Sequence, residues 1–299
     1  MDVRDLRMFA AVAEAGVVTH AANQLNTVQS NVTARIRALE TELGAPLFVR
    51  HSRGMSLTPA GSQLLPYANQ ILDLVEQARH AVSATGEARG TLRIGSLETT
   101  TAIRLPPLLA SFGTRFPAVD LNLETGTTDQ LVSAVLERKL DGAFVAGELV
   151  HPQLTTSAVF EEELVIATSL QIDDIDRYVA NAEEVRVLVF RYGCSYRKRF
   201  ENLLARRGVA RIKVLELGTL EGILGCVAAG LGITLLPVSV VGTARMIAQH
   251  RLPAEESKVQ TLFIKRRDTQ AYLPLHEFER FVEEEARAGE ARSSLKSVA

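Results

Sequence analysis

The sequence predicts two architectures in one chain: an all-α head, followed by a larger α/β body. Three observations carry this. Residues 1–58 hold two apolar stripes at helical spacing around a shorter helical pattern. Thr58-Pro59 then opens a long amphipathic run, an N-cap residue followed by proline at the first helical position. From residue 92 onward, short aliphatic runs alternate with helical patterns, the rhythm of a sheet covered by helices. At 299 residues the chain is too long for one small core and suits two or three domains.

In the head, Leu6, Phe9, Ala10 and Ala13 follow the i, i+3, i+4, i+7 pattern of a first helix, which stops at Gly16. Thr19 is the expected N-cap of a short second helix over residues 20–25. A tight connection leads into NTVQSNVTARIRALETELG, residues 26–44, where Val32, Ile36, Leu39 and Leu43 form one buried stripe. At about 100° per residue, Ser30, Ala34 and Arg37 lie on the opposite face, with Asn31 and Thr33 on its flanks. Taken alone, this is either a solvated helix face or a strip that enters a major groove, with donors and acceptors for base edges and phosphates. Two short helices joined by a tight turn, the second with a polar outer face, make a helix-turn-helix. Leu47, Phe48 and Val49 then read as a strand, and Met55, Ser56 and Leu57 as its return. Arg50, His51, Ser52, Arg53 and Gly54 form the turn between them, a wing with a basic tip suited to phosphates.

The helical run after Thr58 reaches about residue 84, roughly 40 Å at 1.5 Å per residue. Leu65, Ala68, Leu72, Val75 and Val82 form an apolar seam, interrupted by Arg79, while Pro66 is expected to bend the first turns. A seam on so long a helix predicts pairing with a second copy. SATGEARG, residues 83–90, reads as a hinge. In the body, strands are expected near 92–95, 120–124 and 141–146, with helices near 101–115 and 127–139. After Phe160 the rhythm restarts with strands near 163–167, 187–190, 214–217 and 233–236, and helices near 195–207, 219–229 and 238–247. These are two α/β lobes with a cleft, and a strand at 259–265 and a helix at 274–285 return to the first. The tail EARSSLKSVA is expected to fray.

Composition bounds the function. Net charge is −2, and residues 1–58 carry six Arg against five acids, so any nucleic-acid binding depends on where charge sits. That segment has no lysine, the first being Lys139, and arginine is the better residue for bidentate phosphate and guanine contacts. Two cysteines without CxxC predict neither a disulfide framework nor a zinc site, and the six histidines have no metal-ligand spacing. No apolar run reaches the roughly 18 to 20 residues of a membrane span, and residues 1–16 do not resemble a signal peptide, so a cytoplasmic location is expected. There is no GxxxxGK[ST], no GxGxxG after a strand, no HExxH and no GxSxG, which leaves an α/β enzyme unsupported and no cofactor implied. A transport binding protein would need an export signal and has no use for residues 1–90.

In such sheets ligands sit beyond the carboxyl ends of the strands, where helices begin. Those places hold Ser96 with Glu98, Thr99, Thr100 and Thr101, and then Gly126, Thr127 and Thr128. Two more hold Gly193, Cys194 and Ser195, and Gly218 with Thr219. Each hydroxyl alone is a helix cap; repeated at four strand ends, they suggest a shared cleft for a small anion such as a carboxylate. Glu98 and Glu221 are candidates to accept from a ligand amine. Cys194, between Arg191 and Arg197, is a candidate redox sensor if those cations lower its pKa; Cys226 reads as a packed small hydrophobe.

The chain resembles the LysR-type transcriptional regulators over essentially its whole length. FAAVAEAGVVTHAANQL and VQSNVTARIRALETELGAPLFVRHSRGMSLTPAG carry the likeness at the N-terminus, and AAGLGITLLP, residues 228–237, near the end. The resemblance implies a winged helix-turn-helix over 1–58, a dimerising linker helix and hinge over 59–89, and an effector domain over 90–299. That domain would be two-lobed and shaped like a periplasmic binding protein, with one lobe at about 90–160 and 266–299 and the other at about 161–265. Family DNA contacts carry over to Gln29, Ser30, Asn31, Thr33, Arg35 and Arg37, and in the wing to Arg50, His51, Ser52 and Arg53. Effector contacts carry over to the loops at 96–101, 125–128 and 193–195 and to Thr219. The implied partners are double-stranded promoter DNA with an inverted repeat, a small effector, RNA polymerase, and further copies of the chain as a dimer or tetramer. This sequence departs from the family pattern at Val17-Val18, where Ser-Phe is usual, and at Val28, where Ser is common, so the capping role passes to Thr27.

Overall fold

The computed structural model describes residues 1–52, 54–81, 87–242, 244–269 and 272–296. Its contacts divide the chain into two units, Met1–Gly86 with Glu137–Lys139, and Glu87–Leu136 with Leu140–Ala299.

The first unit begins with α1 (Val3–Ala15), which opens on a capping box: the Asp2 carboxylate accepts from the Asp5 N–H and the Asp5 carboxylate from the Asp2 N–H. It ends at Gly16 with φ +64, a left-handed conformation that suits a residue without Cβ. α2 (Val18–Gln24) starts two residues earlier than the sequence suggests: Val17 is its N-cap, and Thr19 lies exposed within the helix rather than capping it. α3 (Gln29–Leu43) buries Val32, Ile36 and Leu39 and stops at Gly44. Its N-cap is Val28 without a side-chain bond, so Thr27 does not cap the helix; its hydroxyl instead accepts from the Asn31 side-chain amide at 3.0 Å. β1 (Phe48–His51) and β2 (Gly54–Leu57) pair antiparallel, so Arg50 and His51 are strand residues rather than turn residues. Arg53 lies outside the described residues.

α4 (Pro59–Ala81) starts where expected, the Thr58 hydroxyl accepting from the Gly61 N–H at 3.0 Å. The seam differs from its expected use. Ala68 is fully buried, and Leu64, Leu65, Ile71 and Leu72 pack on the head core formed by Leu6, Phe9, Val12, Ile36 and Phe48. The reason is that α1 presents a wide apolar face, and α4 covers it. Among the described residues of α4, the large apolar side chains left exposed are Tyr67 and Leu74, seven residues apart. Val82 and residues 83–86 of the expected hinge lie outside the described residues.

The second unit opens with β3 (Gly90–Ser96), followed by α5 (Glu98–Ile103) and α6 (Leu105–Arg115). The single helix expected near 101–115 is two, because Pro106 and Pro107 have no N–H to continue the first and sit instead in the opening turn of the second. β4 (Val119–Thr125), α7 (Thr128–Leu136) and β5 (Gly142–Ala146) complete the parallel part, β3 lying between β4 and β5. The rest of the sheet is antiparallel, so the alternating rhythm does not make it all parallel. β6 (Leu154–Ser169) runs against β11 (Lys258–Arg266), which also runs against β5. The register of β6 and β11 slips beside Val159, a β-bulge, and beyond it β6 pairs with β9 (Thr234–Pro237) and β10 (Ile247–Arg251). One unbroken β6 therefore serves both lobes.

Between these strands lie α8 (Ile175–Asn181), β7 (Val185–Val189), α9 (Ser195–Arg206), β8 (Ile212–Glu216), α10 (Leu220–Ala228), α11 (Val238–Val241) and α12 (Ala254–Ser257), with α13 (Leu273–Lys296) last. β7 and β8 pair in parallel. The helix expected near 238–247 is only the four residues of α11; residues 244–246 are irregular, and the strand β10 begins at Ile247. The tail expected to fray from residue 290 is helical through Lys296. Phe112, Phe144, Phe263 and Phe278 fill the first lobe, while Val187, Phe200, Leu203 and Ile233 lie in the core of the second. Among the described residues no helix is long and apolar enough to cross a membrane, and no cluster of His, Cys, Asp and Glu suits a metal.

Candidate functional site

In the first unit, α3 offers its outer face as a strip of exposed residues. Gln29, Ser30, Asn31, Ala34 and Arg37 are exposed, and Thr33 is half-buried on the flank. Arg37 has no ion pair among the described residues, which leaves its guanidinium available. Arg35 does not: it bonds Asp5 at 2.8 Å and Asp2 at 3.1 Å, and the bonds to these two carboxylates raise its pKa. It sits nearer the buried stripe than Arg37 does, and it ties α3 to the start of α1. Unlike Arg37, it is therefore paired within the head in this structure.

The wing is fixed to this strip from two sides. The Glu40 carboxylate, on α3, accepts from the N–H groups of Leu47 and Phe48 at 2.8 and 3.3 Å. Met55 N–H donates to the Gly16 carbonyl at 2.8 Å, and Gly54, at φ +141, lies so close that a Cβ there would stand 2.4 Å from that oxygen. Phe48 packs on Phe9, ring centroids 5.4 Å apart, while Val49, Arg50, His51 and Ser52 are exposed. The contacts by which Glu40 and Gly16 hold the wing in register have no signature in the apolar pattern of the sequence.

The second unit holds a cavity of about 160 Å³, close to the roughly 150 Å³ that accommodates a benzene. Its walls bring together Glu98 and Thr99 from α5, Gly126 and Thr127 before α7, Arg191 and Cys194 after β7, Tyr196 of α9, and Gly218. The hydroxyls of Thr99 and Tyr196 are buried without a hydrogen-bond partner among the described residues. Burial raises the Tyr196 pKa, so the phenol stays a neutral donor; the nearby Thr99 hydroxyl pulls the other way, without hydrogen-bond geometry between the two. A buried hydroxyl left unpaired costs about 1 to 3 kcal/mol, which makes the pair a place for an incoming polar group. Arg191 is exposed, without an ion pair among the described residues, and a Cβ on Gly218 would lie 3.3 Å from its Nη2.

The other expected loop residues go elsewhere. Ser96 is fully buried and donates to the Leu97 carbonyl at 3.1 Å; Thr101 donates to the same carbonyl at 2.9 Å. Thr100 is buried outside the cavity wall. Thr219 caps its own helix, accepting from Gly222 N–H at 3.2 Å, and Glu221 is exposed. Thr128, Gly193 and Ser195 line a second, wider cavity of about 750 Å³, whose wall includes Cys194 and Tyr196 as well. Gly193, at φ +89, lets this loop approach α7: a Cβ there would stand 2.9 Å from the Thr127 hydroxyl oxygen. Glu98 Oε1 accepts from the Leu220 N–H at 2.9 Å.

Two side-chain hydrogen-bond groups, among other contacts, span the lobes. Glu98 on α5 meets the start of α10, and Arg104 Nε bonds the buried Glu162 at 2.7 Å, whose other oxygen accepts from Ser239 of α11 at 3.1 Å. The bond to Glu162 raises the Arg104 pKa. Neither contact follows from the sequence, since Glu98 and Leu220, like Arg104 and Glu162, are distant in the chain.

Cys194 departs from expectation. It is buried, and desolvation pushes its pKa up, against the smaller opposing pull of the Arg197 and Tyr196 backbone N–H groups and the Arg197 charge. A raised pKa means little thiolate at neutral pH, the reverse of what a peroxide sensor needs. Alkylation of the native protein with iodoacetamide at pH 7, read by mass spectrometry, is expected to leave Cys194 unmodified until denaturant is added. Labelling as fast as a free thiol would restore the redox alternative.

Residues 3–62 match the bacterial regulatory helix-turn-helix proteins of the lysR family, and residues 85–287 the LysR substrate binding domain. The chain belongs to the LysR family of transcriptional regulators. It is 44% identical over 272 residues to the HTH-type transcriptional regulator GltR of Bacillus subtilis (strain 168), covering 90% of this chain and 92% of that protein. Over 275 residues it is 46% identical to the uncharacterized HTH-type transcriptional regulator YusT of the same organism, covering 90% and 91%. Among solved structures, full-length CbnR complexed with its target DNA aligns with a TM-score of 0.68 at 28% identity, covering 95% of this chain and 99% of that one. The relatives are transcriptional regulators, not enzymes. The expected fold, a winged helix-turn-helix followed by a two-lobed α/β domain, is the fold of this family.

Proposed function

We propose that this protein binds promoter DNA in the cytoplasm as a dimer or tetramer, and that a small anionic effector in the cavity between its lobes controls the outcome. The reading strip is Gln29, Ser30, Asn31, Thr33 and Arg37, with Arg50, His51 and Ser52 on flanking phosphates. The observation that carries this is the anchored geometry: Arg37 is exposed and unpaired among the described residues, while Glu40 and Gly16 fix the wing beside it. Tyr67 and Leu74 on the outer side of α4 are the apolar groups offered to the linker helix of a second copy. Two heads held this way read two half-sites of an inverted repeat, and RNA polymerase is the onward partner.

For the effector, the buried Thr99 and Tyr196 hydroxyls beside a small, partly open cavity support a ligand the size of a small acid or amino acid. Ligand closure of the two lobes biases one arrangement of the assembly over another and so alters the DNA bend, rather than only the affinity. A thermal-shift screen of the full chain against small carboxylates, amino acids and aromatic acids tests this; a ligand at a hundred times its Kd adds about 2.7 kcal/mol. Thr99→Val and Tyr196→Phe are each expected to weaken the shift of any hit by about tenfold in Kd, with promoter affinity unchanged. Hits that shift both variants as they shift the wild type would place the effector elsewhere.

A further inference from the structure

The carboxylate of Glu98 already occupies one wall of the cavity in an informative way. It lines the 160 Å³ space and, at the same time, accepts from Leu220 N–H, the first amide of α10, at 2.9 Å. The N-cap Thr219 takes the Gly222 N–H, so the start of this nine-residue helix has one of its amides bound to its own cap and another to a carboxylate from the opposite lobe. A carboxylate is the group such a site favours, because the amide donors and the helix dipole both point at it. Arg191 lies against Gly218 beside the same turn with its charge unpaired among the described residues. Thr99 and Tyr196, whose buried hydroxyls have no hydrogen-bond partner among the described residues, belong to the wall of the same cavity, so a ligand there has two unpaired polar groups next to it.

We infer that Glu98 is a built-in stand-in for the effector's carboxylate: a small monocarboxylate displaces it from the α10 N-terminus, pairs with Arg191, and places its second polar group on Thr99 and Tyr196. This deepens the effector reading above and rests on it. Displacement releases the Glu98–Leu220 contact between the lobes while the ligand bridges the same two lobes in its place. The exchange keeps one carboxylate on the Leu220 amide throughout and satisfies the two orphan hydroxyls, so the bound state gains what the free state lacks. Selectivity follows as well. An uncharged amide of the same shape makes a weaker bond at the helix start and gains nothing from Arg191.

The test is competition. Full-length wild type, Glu98→Gln and Glu98→Ala are titrated with pyruvate, lactate and glycolate, and with lactamide and glycolamide as uncharged counterparts, by calorimetry or thermal shift. Glu98→Gln keeps an acceptor for Leu220 but loses the charge, and Glu98→Ala removes the group, so one serves if the other folds poorly. The expected result is that at least one carboxylate binds the wild type, binds the Glu98 variants about tenfold tighter, and outcompetes its amide by a similar factor. A residue serving only structure would give the opposite sign, with weaker binding in both variants, and that result overturns the proposal. Equal binding of acid and amide, reduced by Thr99→Val, would also overturn it while leaving the cavity as the effector site. No binding of any carboxylate by any of the three proteins overturns it too.

Discussion

Arg37→Ala is expected to weaken binding to the cognate promoter by about tenfold to a hundredfold, with no loss of thermal stability. The argument starts from the helix wheel. Val32, Ile36 and Leu39 are in the core, and Arg37 projects on the far side with no ion pair among the described residues, so removing it breaks nothing in the fold. In a major groove the same guanidinium makes a bidentate contact to a guanine or a contact to a phosphate, and the two outcomes are separable. Loss of a base contact flattens the preference at one position of the site. Loss of a phosphate contact weakens all sequences alike and lowers the salt slope by about one. Fluorescence anisotropy over a range of salt concentrations measures both. Arg35→Ala should behave differently, because that side chain holds α3 to Asp2 and Asp5: its effect is on the stability of the head as well as on binding.

The second large effect is expected at Gly54→Ala. A Cβ at this position would stand 2.4 Å from the Gly16 carbonyl oxygen, and φ +141 is a conformation that alanine adopts only under strain. Together these cost about 2 to 4 kcal/mol. The pairing of His51 with Gly54 and the bond from Met55 to Gly16 must shift, carrying Arg50 and His51 away from α3. Promoter affinity should therefore fall, and the thermal transition of the head should drop by on the order of 10 °C. Gly113→Ala is the control: it is helical, has open space around it, and should change neither property. A normal melting curve together with normal promoter affinity for Gly54→Ala would show that the wing is not held as described.

How much of this was legible beforehand depended on whether a feature is local in the chain. The head was readable because its helices announce themselves by spacing, and Gly16 and Gly44 end them as a left-handed glycine does. Thr19 and Thr27 misled because hydroxyl residues near a helix start are good caps on average, whereas Val17 and Val28 open these helices without a side-chain bond. The seam on α4 was visible as periodicity, but periodicity does not say which neighbour it meets, and the first neighbour is α1. In the body the parallel strands near 92 and 120 are clear from sequence, while β10 is not, because IAQHR has too few apolar residues to announce a strand. The cavity was half legible. Strand-end hydroxyls pointed to Thr99 and Thr127, which do line it, and equally to Ser96, Thr100 and Thr219, which serve local bonds or packing. Arg191 and Tyr196 entered the site with no motif to announce them. Glu98 could not be assigned to the Leu220 amide from sequence, since 122 residues separate them.

The central claim is that an exposed strip on α3, with its anchored wing, gives this protein a preference among duplex sequences. The direct measurement is selection of genomic fragments by the full-length protein at moderate salt, with excess bulk DNA and with and without metabolite extract. It is run beside a Ser30→Ala, Arg37→Ala double variant. The account predicts a small set of fragments enriched by the wild type, sharing an imperfect inverted repeat, and loss of that enrichment in the double variant while both proteins retain the same fold by circular dichroism. Equal recovery of all fragments by the wild type, or the same enriched set from the double variant, would contradict it.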